Sequence, residues 1–151
     1  ISSPYAILDS SAALIDSLSF SGQFTFTNAT TGTYFITVKH FNSIETWSKP
    51  GGELITSGGS VYNYDFTVSS AQAYGNNLKQ VGNKFCIYSG DVDQGGSINL
   101  VDLVEIYNQS SLFSSGPDLP QDLNGDNTVN ISDILICYNN PFVRVVTPIA
   151  P

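Results

Sequence analysis

Between residues 17 and 39 apolar and polar positions alternate: Leu18, Phe20, Phe24 and Phe26, and then Tyr34, Ile36, Val38 and His40, recur at period two with polar residues between them. That is the pattern of half-buried strands, whose successive side chains point to opposite faces. The turn-forming run Asn28-Ala29-Thr30-Thr31-Gly32 divides the two halves and predicts a β-hairpin. Further strands are predicted at 5–8, 44–47, 61–68 and 84–88, separated by Pro50-Gly51-Gly52, Gly58-Gly59 and Gly75-Asn76-Asn77. Residues 1–88 thus read as a small antiparallel β-sandwich.

After residue 90 the pattern changes to acidic loops followed by helical spacing. The windows from Asp91 to Asp102 and from Asp122 to Asp133 superimpose when the sequence is shifted by 31 residues. The match extends beyond the acids. Leu100, Leu103, Val104 and Tyr107 correspond to Ile131, Ile134, Leu135 and Tyr138, each set at i, i+3, i+4, i+7, which predicts two short amphipathic helices with these residues as the apolar face. Ile98 matches Val129, and Asn108 matches Asn139, so the region is an internal repeat. Residues 142–147 read as a last strand ended by Pro148, with no partner evident in the sequence.

Each acidic window is a twelve-residue loop that can present oxygens at positions 1, 3, 5, 7, 9 and 12, the donor set that the hard cation Ca2+ prefers. In the second loop Asp122, Asn124 and Asp126 stand at 1, 3 and 5, Thr128 offers a carbonyl at 7, Asn130 stands at 9 and Asp133 closes at 12. Position 6 requires a left-handed backbone, and Asn127 tolerates it better than other non-glycine residues. In the first loop Asp91, Asp93, Ser97, Asn99 and Asp102 fill the same positions and Gly96 stands at 6, but Gly95 at position 5 has no side-chain oxygen. Two calcium ions are expected, the first bound more weakly. The competing reading is a pair of Asx-rich turns that cap helices without metal.

These tandem Asp-x-Asn-x-Asp loops, each with an apolar residue at position 8, Asp at 12 and a following helix, resemble the dockerin family over residues 89–142. The resemblance implies two bound calcium ions and a non-catalytic docking role toward a cohesin-like receptor. Dockerins often contact cohesins through hydroxyl residues at loop positions 10 and 11, where this chain has Leu100-Val101 and Ile131-Ser132. Upstream, Gly22-x-Phe24-x-Phe26-x-Asn28-x-x-x-Gly32-x-Tyr34 resembles the transthyretin-like, carboxypeptidase-regulatory type of β-sandwich. The expected fold is therefore mainly β with a small α part: an antiparallel sandwich (1–88), a dockerin-like pair of calcium loop-helix motifs (89–142) and a terminal strand or tail (143–151).

Composition narrows the function classes. Charged residues make up 12% of the 151 positions, and Ser, Thr, Asn, Gly and Tyr fill the polar surface, as in secreted or cell-surface β-rich proteins. The formal charge of −8 argues against nucleic acid and anionic membranes, and no apolar run approaches the ~20 residues of a membrane span. Six of the thirteen acids lie inside the two loops, so the acidity is largely a metal-site signature. No Met and no charged-then-apolar leader is present, so a signal peptide is expected to have been removed or to lie outside this chain, with both ends docked.

Cys86 precedes the first loop and Cys137 lies on the second predicted helix. In a two-repeat calcium fold these approach each other, giving a candidate disulfide, with two buried free thiols as the alternative. His40 is the only histidine and lacks zinc-ligand companions, and no nucleophile or paired-carboxylate constellation remains once the loop acids are assigned. No enzymatic role is expected. Trp47 beside Glu45 offers a weaker reading as a sugar platform, against core packing. The expectation is an extracellular calcium-binding structural module that works through a protein partner, by self-assembly into filaments with strand exchange or by anchoring to a cohesin-like receptor.

Overall fold

A computed structural model describes residues 5–59 and 61–148. Residues 1–4 and 149–151, where the docked ends were expected and where the tail finishes, lie outside the described residues.

The described residues form a small mixed α/β arrangement. Six short strands pair in twos, all antiparallel: β1 (Gly32–Tyr34) with β4 (Glu53–Ile55), β2 (Thr37–Val38) with β3 (Thr46–Trp47), and β5 (Lys79–Val81) with β6 (Lys84–Cys86). Two helices follow, α1 (Leu100–Ser111) and α2 (Ile131–Tyr138). These strands do not extend into two facing sheets among the described residues.

The hairpin predicted over 17–39 does not form, because β1 takes β4 as its partner. Upstream of it, backbone donors that a ladder would use are capped by side-chain oxygens: Asn28 N–H donates to Asp9 Oδ2 and Thr25 N–H to Ser11 Oγ. Such side-chain bonds compete with sheet pairing. Phe24 and Phe26 are left exposed. Residues 5–8 and 61–68 form no strand either, whereas β3 and β6 fall inside their predicted ranges.

The helices begin in the same way, and the sequence dictates it. Asn99 and Asn130 are N-caps of almost identical backbone geometry (φ −147° in both), and the Asp three residues on accepts the cap's own N–H in a reciprocal capping box. The buried face of each helix matches the predicted one only in part: Leu103 and Ile134 pack half-buried against the core as expected. Leu100, Val104 and Tyr107, with Ile131, Leu135 and Tyr138, are exposed, while Asp102 and Ile106, with Asp133 and Cys137, are buried. Each Asp must turn inward to reach the loop amides, and that rotation carries the i+4 residue into the core and the other three residues of each predicted stripe toward solvent.

One core crosses the expected boundary at residue 88. Ile44 from the β-rich part is fully buried with Val92, Ile98, Ile106, Val129 and Cys137 of the loop-helix part. Ile44 N–H donates to Tyr88 O, and Gly90 N–H to Asn42 O. Trp47 is buried among Tyr5 and Phe35, its indole N–H donating to Glu45 Oε1, so it is core packing and not a sugar platform.

Candidate metal centre

The two loops share one backbone form. Position 4 is left-handed in both (Gln94 φ 54°, Gly125 φ 75°), and so is position 6 (Gly96 φ 79°, Asn127 φ 65°), where Asn127 occupies the conformation expected of it. At position 12 the carboxylate ties each loop to its helix. Asp102 Oδ1 accepts from the N–H groups of Val92 and Asp93, and Oδ2 from Asn99. Asp133 does the same with Leu123, Asn124 and Asn130. Neither the position-2 amide nor the caps at Asn99 and Asn130 were read from sequence, which placed these Asn residues at loop position 9; the Asn-x-x-Asp spacing of a capping box is the signal that marks them.

Loop 1 gathers its charges. Carboxylate oxygens of Asp91, Asp93 and Asp102 lie within 4.8 Å of one another, with Asp91 and Asp102 buried and Asp93 exposed. Asp91 is 2% exposed; its Oδ2 accepts from Gly96 N–H at 3.1 Å, but its buried Oδ1 has no hydrogen-bond partner. Such an orphaned buried carboxylate oxygen is costly unless something supplies a positive partner. Burial, and then the nearby Asp102, push the Asp91 carboxyl up to about 6, and burial also raises Asp102. A divalent cation bound among the three oxygens reverses that penalty, and the donor set of hard oxygens fits calcium. Asp93 Oδ1 meanwhile accepts from Gly95 N–H at 2.7 Å, and the Ser97 and Asn99 oxygens lie along the same loop, with Asn99 Nδ2 donating to Ser97 O.

Loop 2 has the richer donor set but holds it differently. Asp122 Oδ1 accepts from Gly125 and Asp126 N–H groups and Oδ2 from Asn127. Asp126 Oδ1 accepts from Thr128 N–H, and its Oδ2 from Asn124 Nδ2. Asn130 Oδ1 caps Ser132 while its Nδ2 donates to Thr128 O. Here the oxygens are taken up mostly by backbone N–H groups, with one side-chain pair, Asn124 Nδ2 donating to Asp126 Oδ2, and the Asp122, Asp126 and Asp133 carboxylates do not converge as those of loop 1 do.

Cys86 and Cys137 are both free, which corrects the candidate disulfide. Cys86 lies exposed on β6, whereas Cys137 is buried with Sγ turned toward Gly90 O at 3.9 Å. The chain entering loop 1 does approach α2, but it is Gly90, four residues beyond Cys86, that meets Cys137. The tail finds its partner in loop 1: Ile98 N–H donates to Val143 O (2.7 Å), Phe142 N–H to Ile98 O (2.9 Å) and Val145 N–H to Gly96 O (2.9 Å).

No helix among the described residues is long and apolar enough to cross a membrane. No family model, curated protein or solved structure matches this chain.

Proposed function

We propose that this chain is an extracellular, non-enzymatic calcium-binding structural module that acts through protein-protein contacts. The observation that carries the reading is the buried, unpartnered Asp91 Oδ1 within a cluster of three carboxylates, on a loop whose backbone form recurs in loop 2. Calcium would be held by Asp91, Asp93, Ser97, Asn99 and Asp102 in loop 1, and by Asp122, Asn124, Asp126, Thr128, Asn130 and Asp133 in loop 2. Loop 1 is the weaker site because Gly95 contributes no side-chain oxygen. Loop 2 must release the Asn124–Asp126 side-chain bond before its larger donor set can close on an ion.

The exposed apolar residues repeated on α1 and α2 favour a dockerin-like docking role as the second reading, with a cohesin-like receptor as partner. Self-assembly by exchange of the C-terminal segment remains the first, the same backbone bonds to Gly96 and Ile98 being made between copies. The β-rich part is taken as a reduced transthyretin-like sandwich.

The test is isothermal titration of calcium into chelator-treated protein, with light scattering on a sizing column before and after. Two sites of unequal affinity, and a stabilisation of about 2.7 kcal/mol per site at a hundredfold excess over Kd, are expected. A monomer at all concentrations would remove the self-assembly reading. No calcium heat together with no gain in thermal stability would overturn the metal reading.

A further inference from the structure

We infer that the C-terminal segment 142–145 is the positioning element of the loop-1 metal site, so that calcium in loop 1 and docking of this segment are energetically coupled; the inference rests on the calcium reading above. Both loops are bracketed at position 7, the carbonyl donor, by the same pair of backbone hydrogen bonds. In loop 1 the position-6 carbonyl of Gly96 accepts from Val145 N–H (2.9 Å) and the position-8 N–H of Ile98 donates to Val143 O (2.7 Å). In loop 2 Asn127 O accepts from Gly116 N–H (3.0 Å), and Val129 N–H donates to Ser114 O (2.9 Å). Ser97 and Thr128 are correspondingly the bridge residues, facing Arg144 and Ser115. Each loop is thus held by the chain that follows the other loop's helix.

The two brackets differ in how they are tethered. That of loop 2 lies just upstream, between α1 and the loop it holds. That of loop 1 comes from beyond α2, and it is present only when residues 142–146 dock on the loop. Three contacts hold it there. Val143 and Val145 pack on the core around Ile98, Asn77 Nδ2 donates to Arg144 O at 3.1 Å, and Val146 fills the space beside Gly75, where a Cβ would come within 2.6 Å of Val146 Cγ1. The turn at 74–77 therefore backs the segment, and the segment backs Ser97. Loop 1 lacks a side-chain donor at position 5, so it depends more on a fixed carbonyl at position 7 than loop 2 does. Coupling is reciprocal: whatever segment docking adds to calcium affinity, calcium adds to segment docking.

Two measurements on the full chain test this. Val145→Pro removes the N–H that donates to Gly96 O. Calcium titrations are run with loop 2 disabled by Asp122→Ala and, separately, with loop 1 disabled by Asp91→Ala. Val145→Pro is expected to weaken the loop-1 site about tenfold or more, within the usual range of coupling between sites, and to leave loop 2 within about twofold. In the wild-type chain, calcium is expected to slow hydrogen exchange at the Ile98 and Val145 amides at least about tenfold, while the Phe85 amide, bonded to Thr67 O, is unchanged. Calcium binding at both loops with loop 1 indifferent to Val145→Pro, or with exchange at Ile98 and Val145 unaltered by calcium, would overturn the inference alone. Absence of calcium binding in the wild type would overturn the calcium reading as well.

Discussion

Gly90 lies against Cys137 so closely that a Cβ on Gly90 would stand 3.4 Å from the Cys137 Cα and 3.5 Å from its Sγ, with Ile98 Cγ2 at 3.2 Å. Gly90 also has φ of 128°, a backbone region that L side chains rarely adopt. Gly90→Ala therefore meets two penalties at the point where the chain enters loop 1. A loss of about 2–3 kcal/mol is expected in urea unfolding, with the m-value unchanged. A neutral effect would mean that the chain can separate from α2 at this point.

The same contact makes the two thiols unlike. Burial, and secondarily the charge of Asp102, push the Cys137 thiol up to about 11, whereas Cys86 is exposed on β6. Because the thiolate is the reactive form, one thiol per chain is expected to react promptly with a disulfide reagent at neutral pH and the second only on unfolding. Cys86→Ser should abolish the fast phase. Two unreactive cysteines and a mass shift on reduction would instead reveal a disulfide.

What the sequence made legible and what it did not follows from the range of the interactions. The 31-residue repeat and the left-handed Asn127 follow from residue types at fixed positions in each loop, and they were readable. The orientation of the helices was not. Leu100, Val104 and Tyr107 have the periodicity of a buried stripe, but the carboxylate of Asp102 satisfies three backbone N–H groups and turns that face inward instead. The alternation at 18–26 carried a strand signal without a partner strand to realise it. The pairing of Val145 with Gly96 joins segments separated by a whole repeat and has no local signature.

Asp91 and Asp102 should respond in opposite ways when calcium is chelated. Asp102→Ala strands the buried N–H of Val92 and the half-buried bonds from Asp93 and Asn99, and a loss of about 2–4 kcal/mol is expected even without metal. Asp91→Asn removes a buried charge that has no partner at Oδ1 and that faces Asp102, so the chelated protein should melt at a higher temperature than wild type. In excess calcium the order reverses for Asp91→Asn, because the wild type gains the ion and the variant loses its loop-1 ligand. Thermal melts of the three proteins with chelator and with calcium check both signs.

Glu53 predicts an alkaline transition that involves neither loop. Its buried carboxylate accepts from Lys49 Nζ at 3.2 Å and from the Tyr62 hydroxyl at 2.5 Å. That hydrogen bond to Glu53, then burial and the negative charge, push the Tyr62 hydroxyl up to about 12. The folded chain thus holds the phenol proton more tightly than the unfolded chain, whose Tyr titrates near ~10. The stabilising contribution is complete below pH ~10 and is lost as the pH rises through about 12. Tyr62→Phe should flatten the fall in stability across that window, and phenolate absorbance should show one late-titrating tyrosine fewer.

The outer faces of α1 and α2 separate a packing role from a contact role. Val104 and Leu135 are 46% and 50% exposed, beside Tyr107 and Tyr138 at 62% and 65%. If these residues only complete each helix, their replacement changes little: Val104→Lys with Leu135→Lys should alter stability by no more than about 0.5 kcal/mol per site. If they are the contact surface of the module, the same pair should lower calcium-dependent self-association in light scattering, or receptor capture, while the melting curve and the calcium titration stay in place. Association that persists in the double variant but disappears with Val145→Pro would move the contact from the helix faces to the C-terminal segment. A stability loss above about 2 kcal/mol per site would show that the faces are covered in solution, since a cost of that size is expected of buried side chains and not of exposed ones.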